Sequence, residues 1–210
     1  MPAGRYHHGD LRTALLDAAE ELIRAKGADG WSLREASARV GVSPSAAYHH
    51  FDSRDALMAA LYDRLLVRLA ERLAAAVARV PDGPARLVAY GRGYLRWALE
   101  EPALAALPAG GKRTTVVSRH PHDVLVAELD RLVAGGHLPA RARPGAEFVV
   151  WPAVHGLARL VTDGHMRFDN DAEVDLHTER LTLAVLNGLI HEPPGTWAAA
   201  RSPHTERLER

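Results

Sequence analysis

Apolar residues recur at steps of three and four along most of the chain, with polar residues between them. Leu11, Leu15, Ala18, Ala19, Leu22 and Ile23 give one apolar face to a helix from about Asp10 to Lys26. Asp10 is its expected N-cap, and Gly27 follows its last turn as a C-cap signal. Ser32-Leu-Arg-Glu35 has capping-box spacing, in which a hydroxyl and a carboxylate each satisfy an orphan N–H. It opens a short helix that ends at Gly41. Ser43-Pro44 reads as an N-cap with proline in the first turn, starting a second short helix through about His50. Asp52-Ser53 start the longest element, which runs to about Val80. Its seam, Leu57, Leu61, Leu65, Leu69, Leu73 and Val77, repeats every fourth residue. At about 1.5 Å per residue this helix spans roughly 40 Å.

Pro81-Asp-Gly-Pro84 breaks the pattern. Helices are then expected over about 85–101, 122–134, 145–164 and 172–191. The Pro/Gly-rich stretch 108–121 reads as a loop, and the chain after Pro193 as a polar tail over 193–210. No run alternates with the period of two that strands need, so the expected fold class is all-α.

Composition narrows the function. Apolar types make up 47% and charged types 25%, as in ordinary globular domains. Lys+Arg 26 balances Asp+Glu 26, so any nucleic-acid surface has to be a local patch. Residues 1–64 carry eight basic and nine acidic side chains, which predicts weak non-specific DNA affinity and a shallow salt dependence. With no cysteine there is no disulfide, thiolate metal site or thiol nucleophile. No apolar run approaches the roughly 20 residues of a membrane helix. MPAGRYHHGD lacks the apolar centre of a signal peptide. A cytoplasmic protein is expected, from a bacterium given the Ala-, Arg-, Gly- and Pro-heavy usage.

Enzyme signatures are missing: there is no Gly-x-Ser-x-Gly, His-Glu-x-x-His or P-loop. Gly91-Arg-Gly93 falls inside a helical stretch and not after a strand. No catalytic residue or cofactor is therefore assigned. His120-Pro-His122-Asp123 contains metal-ligand types but sits at the edge of the Pro/Gly loop. His49 and His50 are adjacent and do not share a helix face. No metal site is assigned.

The informative block is SLREASARVGVSPSAAYHHF, residues 32–51. Two short helices joined at Gly41 form a helix-turn-helix, whose second helix can enter a DNA major groove. Leu33, Ala36, Val40 and Val42 supply the inner face. Ser43, Ser45 and Ala46 keep the recognition surface small, which lets its backbone sit deep in the groove. Tyr48, His49 and His50 add donors for phosphates and an aromatic surface. Arg34 has the fork that matches guanine O6 and N7. Arg54, at the start of the long helix, is expected to join the helix N-terminus in holding a phosphate. Arg5 with Tyr6-His7-His8 forms a possible additional arm.

This region, residues 9–69 with the helix-turn-helix at about 32–51, resembles the DNA-binding headpiece of the tetracycline-repressor (TetR) family. The resemblance rests on the apolar first helix and on Gly41, Val42, Ser43, Tyr48, His50 and Phe51 at family spacing, followed by FDSRDALMAALYD. It implies that Arg34, Ser45 and Ala46 face base edges and that Tyr48, His50 and Arg54 face phosphates. Ser43, followed by Pro44, would cap the recognition helix, and His49 would serve either role.

Residues 84–192 resemble the effector-binding and dimerisation region of the same family, and Trp151-x-x-x-His155-Gly156 resembles a Trp-His-Gly subgroup of it. Tyr90, Tyr94 and Trp97 share one helix face, and Phe148, Trp151 and His155 share another. Two such faces line either an effector pocket or an aromatic core. Val154, Gly156, Leu157, Val161, Leu183, Leu186, Leu189 and Ile190 supply apolar surface in excess of one stripe, and are the expected dimer interface. The resemblance implies a homodimeric, ligand-responsive repressor of a palindromic double-stranded DNA operator, released by a small-molecule effector. The alternative is a small-molecule-binding helical module acting as an activator or co-regulator.

Overall fold

The computed structural model describes residues 8–107 and 120–193. Every regular element among them is helical: α1 His8–Lys26, α2 Leu33–Val40, α3 Pro44–Tyr48, α4 Arg54–Ala78, α5 Pro84–Glu100, α6 Pro102–Ala105, α7 Pro121–Ala134, α8 Glu147–Thr162 and α9 Asp171–Ile190, with a 3-10 turn at Ala140–Ala142. Asp10 lies inside α1 instead of capping it. The short α6 follows Pro102 where no helix was expected. The loop over 108–119, the arm at residues 5–7 and the tail from residue 194 lie outside the described residues. The described chain forms two compact units. One runs to Leu69 and includes the segment from Glu100; the other comprises Ala70–Leu99 and the chain from His120.

The first unit is organised by apolar residues of α1 and α4. Leu15, Ala19, Ile23, Leu57 and Leu61 are fully buried, and Leu33, Ala36, Ala47 and Phe51 of the helix-turn-helix pack into the same core. Leu104 and Leu107, from α6 and the residues after it, complete that core. α6 forms because Pro102 fits a first helical turn and Leu104, with Leu107 just after the helix, finds a place to bury. Glu101, just before α6, pairs with Arg24 of α1 at 2.8 Å.

One carboxylate sits inside this unit. Glu20 is 4% exposed and takes hydrogen bonds from Arg24 at 2.5 Å, Arg64 at 2.7 Å and Arg68 at 2.8 Å. Burial pushes its pKa up, but the hydrogen bond from Arg68 and the charges of Arg68, Arg24 and Arg64 outweigh it. The net direction is below the usual carboxylate value.

In the second unit α5 is flanked on two sides at close range. A β-carbon on Gly91 would lie 2.9 Å from Thr182 Oγ1 and 3.2 Å from Thr178 Cγ2 of α9. One on Gly93 would lie 3.0 Å from Leu73 Cδ2 of α4. The helical glycines are therefore contact surfaces. Thr178 and Thr182 turn their hydroxyls back onto their own helix, donating to Val174 O and Thr178 O at 2.7 Å. Buried Glu128 of α7 is held by Arg86 of α5 at 2.6 and 2.9 Å. His120-Pro-His122-Asp123 is a helix start: His120 Nδ1 accepts from His122 N, and Asp123 accepts from His120 N, both at 3.0 Å.

Truncating Leu61→Ala leaves a cavity in the first unit and is expected to cost about 2–5 kcal/mol in urea unfolding. The lowered pKa of Glu20 contributes stability that is complete above the unfolded carboxylate value of about 4.3 and is lost as pH falls through the lower folded value. Glu20→Gln should flatten that part of the acid-unfolding curve and cost about 2 kcal/mol at pH 7, read by circular dichroism.

Candidate nucleic-acid interface

The turn between α2 and α3 is built from local signals. Ser32 Oγ accepts from Glu35 N at 3.2 Å and starts α2. The return half of the expected capping box is missing, because the Glu35 carboxylate pairs with Lys26 instead. α2 ends at Gly41, whose φ of +79° is the left-handed conformation that glycine adopts without steric cost. The Val42 N–H then returns to Ser37 O at 3.0 Å. Ser43 Oγ accepts from Ala46 N at 3.2 Å and caps α3, with Pro44 at its start.

Burial then decides which way this element faces. Leu33, Ala36, Ser37 and Ala47 are at most 3% exposed. Arg34, Ser43, Ser45, Tyr48 and His49 lie exposed on the other side, Tyr48 at 53%. Pro44, Ala46 and His50 are half-buried along the edge. Eight of the nine expected DNA-facing residues thus lie on α2, α3 and the turns beside them with some or all of their surface open.

Arg54 departs from its expected role. Its guanidinium lies 4.9 Å over the Trp31 ring, donates to Ala28 O, and stands 3.8 Å from Asp29. It straps the start of α4 to the loop after α1. These partners lie more than twenty residues away in sequence, where no local motif shows them.

Ion pairs also redraw the charge of this unit. Arg39 pairs with Glu21 at 2.8 Å, Lys26 with Glu35, Arg64 with Asp17 at 2.6 Å, and Arg24, Arg64 and Arg68 with Glu20. Among the described residues of the unit, Arg12 and Arg34 are the cations with no carboxylate partner. Arg12 lies 5.1 Å over the ring of Phe51, directly after the helix-turn-helix. Sequence reading passed over it; the available signal was an unpaired arginine on the polar face of α1.

The six aromatic positions of the second unit separate into groups. Tyr90 is buried and donates to Pro121 O at 3.3 Å. Tyr94 meets Trp97 at 6.0 Å between ring centres, and its hydroxyl lies 2.7 Å from His155 Nδ1. Burial and the charge of Arg159 lower the pKa of His155, which favours the neutral ring. Trp151 instead stacks edge-on against His122 at 5.8 Å and His120 at 6.2 Å, and Phe148 is 61% exposed. Shared helix faces therefore do not make these six one lining.

The expected dimer residues also divide. Val154, Leu186 and Leu189 are at most 5% exposed, so they serve the chain's own packing and are not an outer face. Gly156, Leu157, Val161, Leu183 and Ile190 are half-buried. Gly156 and Leu157 line an open apolar groove of about 590 Å³ between α8 and α9, with Ala153, Leu160, Leu181 and Ala184. Among the described residues, no other element comes within 4 Å of where a β-carbon on Gly156 or Gly188 would be, so the close approach expected of these glycines is not seen there. Leu160 and Leu181 were missed, although Ala153, Leu157 and Leu160 stand at helical spacing.

Comparison with known proteins fits this geometry. The profile of bacterial regulatory proteins of the tetR family matches residues 15–61. That of the tetracyclin repressor-like C-terminal domain matches residues 87–185. A Rhodococcus sp. RHA1 protein of unknown function is 27% identical with a TM-score of 0.74, over 90% of this chain and 100% of that one. A TetR-family transcriptional regulator from Pectobacterium atrosepticum is 19% identical with a TM-score of 0.69, over 91% and 100%. FadR from Bacillus subtilis, solved with stearoyl-CoA, is 14% identical with a TM-score of 0.63, over 85% and 97%. None of the curated proteins matches. An N-terminal helix-turn-helix with its polar side outward, an all-helical second region and profile matches in both place the chain in the TetR family of bacterial transcriptional regulators.

Proposed function

We propose that two copies of this chain form a homodimeric repressor that holds a palindromic operator and lets go when a small effector binds the second unit. The observation that carries this is the exposed ridge of Arg34, Ser45, Tyr48 and His49, set by a fully buried inner face. Arg34, Ser45 and Ala46 read base edges; Tyr48, His49 and His50 hold phosphates, with Ser43 and Pro44 fixing the start of the reading helix. Arg12 joins them as a phosphate contact, and Arg54 supports the ridge from inside. One helix-turn-helix reads few bases, and a pair spaced about 34–36 Å apart reads two half-sites.

The apolar groove between α8 and α9 supports pairing. Leu157, Leu160 and Gly156 present a surface that a second copy covers by two-fold symmetry, close in at the glycines. The solved FadR complex supports an effector in the second unit, where Tyr94 and His155 offer a polar handle. Among the described residues no helix is long and apolar enough to cross a membrane. The cytoplasm is the compartment in which such a regulator meets DNA.

With the DNA upstream of the chain's own gene as probe, Arg34→Ala should weaken specific binding by about ten- to a hundredfold in fluorescence anisotropy. Arg12→Ala should weaken all sequences alike and reduce the salt slope by about one. Unchanged affinity in both Arg34→Ala and Tyr48→Phe would refute the assignment of this face. Leu160→Glu should turn a dimer into a monomer in sedimentation and abolish operator binding, while a monomeric wild type would sink the dimer.

A further inference from the structure

The contact between Tyr94 and His155 has a direction, and that direction limits what it can hold. α5 lies close to α8 and α9 here because Gly91 stands one turn before Tyr94. A β-carbon on Gly91 would lie 2.9 Å from Thr182 Oγ1 and 3.7 Å from Val154 Cγ2. Tyr94 is buried, and its ring meets that of His155 edge-on at 6.0 Å between centres. The hydroxyl lies 2.7 Å from Nδ1. A phenol is a better donor than acceptor, and a neutral imidazole has one bare nitrogen to receive its hydrogen. Tyr94 therefore donates to Nδ1, and the ring hydrogen of His155 is left on Nε2.

Nε2 takes no part in a hydrogen bond among the described residues, and it is not enclosed by protein atoms. The half-buried ring thus presents a single N–H outward. Burial disfavours the charged ring, and Arg159, one turn further along α8, adds like charge. That guanidinium is itself engaged, 3.0 Å from Asp163. The surroundings are aromatic: Trp97 meets Tyr94 at 6.0 Å, and Trp151 stands one turn before His155 on the same face of α8.

A neutral N–H makes one hydrogen bond. That suffices for a ketone, ester or ether oxygen, which loses little on leaving water. It does not offset the removal of a carboxylate or phosphate from water, which takes a paired cation or several donors. A ligand ammonium finds no acceptor on a nitrogen that carries its own hydrogen. We infer that the effector held at Tyr94 and His155 is a neutral, mainly apolar molecule whose oxygen acceptor takes the Nε2 hydrogen of His155. His155 binds the oxygen, and Tyr94 is a positioning residue that fixes which ring nitrogen carries the hydrogen. The assignment rests on the effector site of the repressor reading and names its ligand class. Uptake is measured without DNA, so it can fail while operator binding stands.

The test is calorimetric titration of the full chain, near neutral pH, with 2-octanone, octanoate and octylammonium. The ketone should bind, and each ion at least about tenfold more weakly. His155→Phe keeps a flat ring and removes the donor, so ketone affinity should fall about tenfold. Nitrogen NMR should find the wild-type His155 hydrogen on Nε2, and Tyr94→Phe should mix the two tautomers and weaken the ketone about threefold. Either ion binding as tightly as the ketone would overturn the inference, and so would a ketone that does not bind at all. A His155→Phe protein of native thermal stability with wild-type ketone affinity would overturn it too, as would a His155 hydrogen found on Nδ1. Should a variant fail to fold, the three ligands on the wild-type chain decide the matter.

Discussion

Two helices of eight and five residues cannot hold themselves together in water, because helix nucleation is too costly at that length. α2 and α3 exist because their inner faces are buried against α1 and α4. Ala36 and Ala47 have no exposed surface, and their small size lets the helices come close. Everything on the outer face inherits its position from that contact. Ser45, Tyr48 and Arg34 are presented outward because the residues between them have nowhere else to go. The caps at Ser32 and Ser43 and the left-handed Gly41 make the short turn possible, and burial makes it stay.

Charge in the first unit follows the same logic of placement over number. Residues 1–64 carry nine acids against eight bases, yet Asp17, Glu20 and Glu21 of α1 are tied to arginines of neighbouring helices, and Glu101 to Arg24. Glu20 alone engages Arg24, Arg64 and Arg68, stitching α1 to α4. What matters to an approaching polyanion is which cations are left without a carboxylate. Arg12 and Arg34 sit next to the helix-turn-helix, one over Phe51 and one on α2. A neutral total thus coexists with a locally positive surface.

Helix positions were legible because their causes are local. The four-residue leucine spacing of α4 corresponds to six buried side chains, from Leu57 to Val77, and the serine caps stand where their spacing put them. What failed had causes that are distant in sequence. Arg54 looked like a phosphate holder at a helix start, but Trp31 and Ala28 claim it through the fold. α6 was invisible because four residues carry no period, and only the core that receives Leu104 makes them a helix. His120-Pro-His122-Asp123 has the residue types of a metal site and the geometry of a cap. Apolar excess on α8 and α9 was correctly noticed, but periodicity does not say which side of a two-sided helix faces inward. Val154 and Leu186 turned in, while Leu160 and Leu176 stayed out.

Gly91 and Gly93 fix how near α5 lies to its neighbours. Two residues apart on a helix point in nearly opposite directions, so α5 is pared down on both flanks, toward α9 and toward the end of α4. A single methyl at either position would press on Thr182 or on Leu73, so one added carbon on each side would wedge three helices apart.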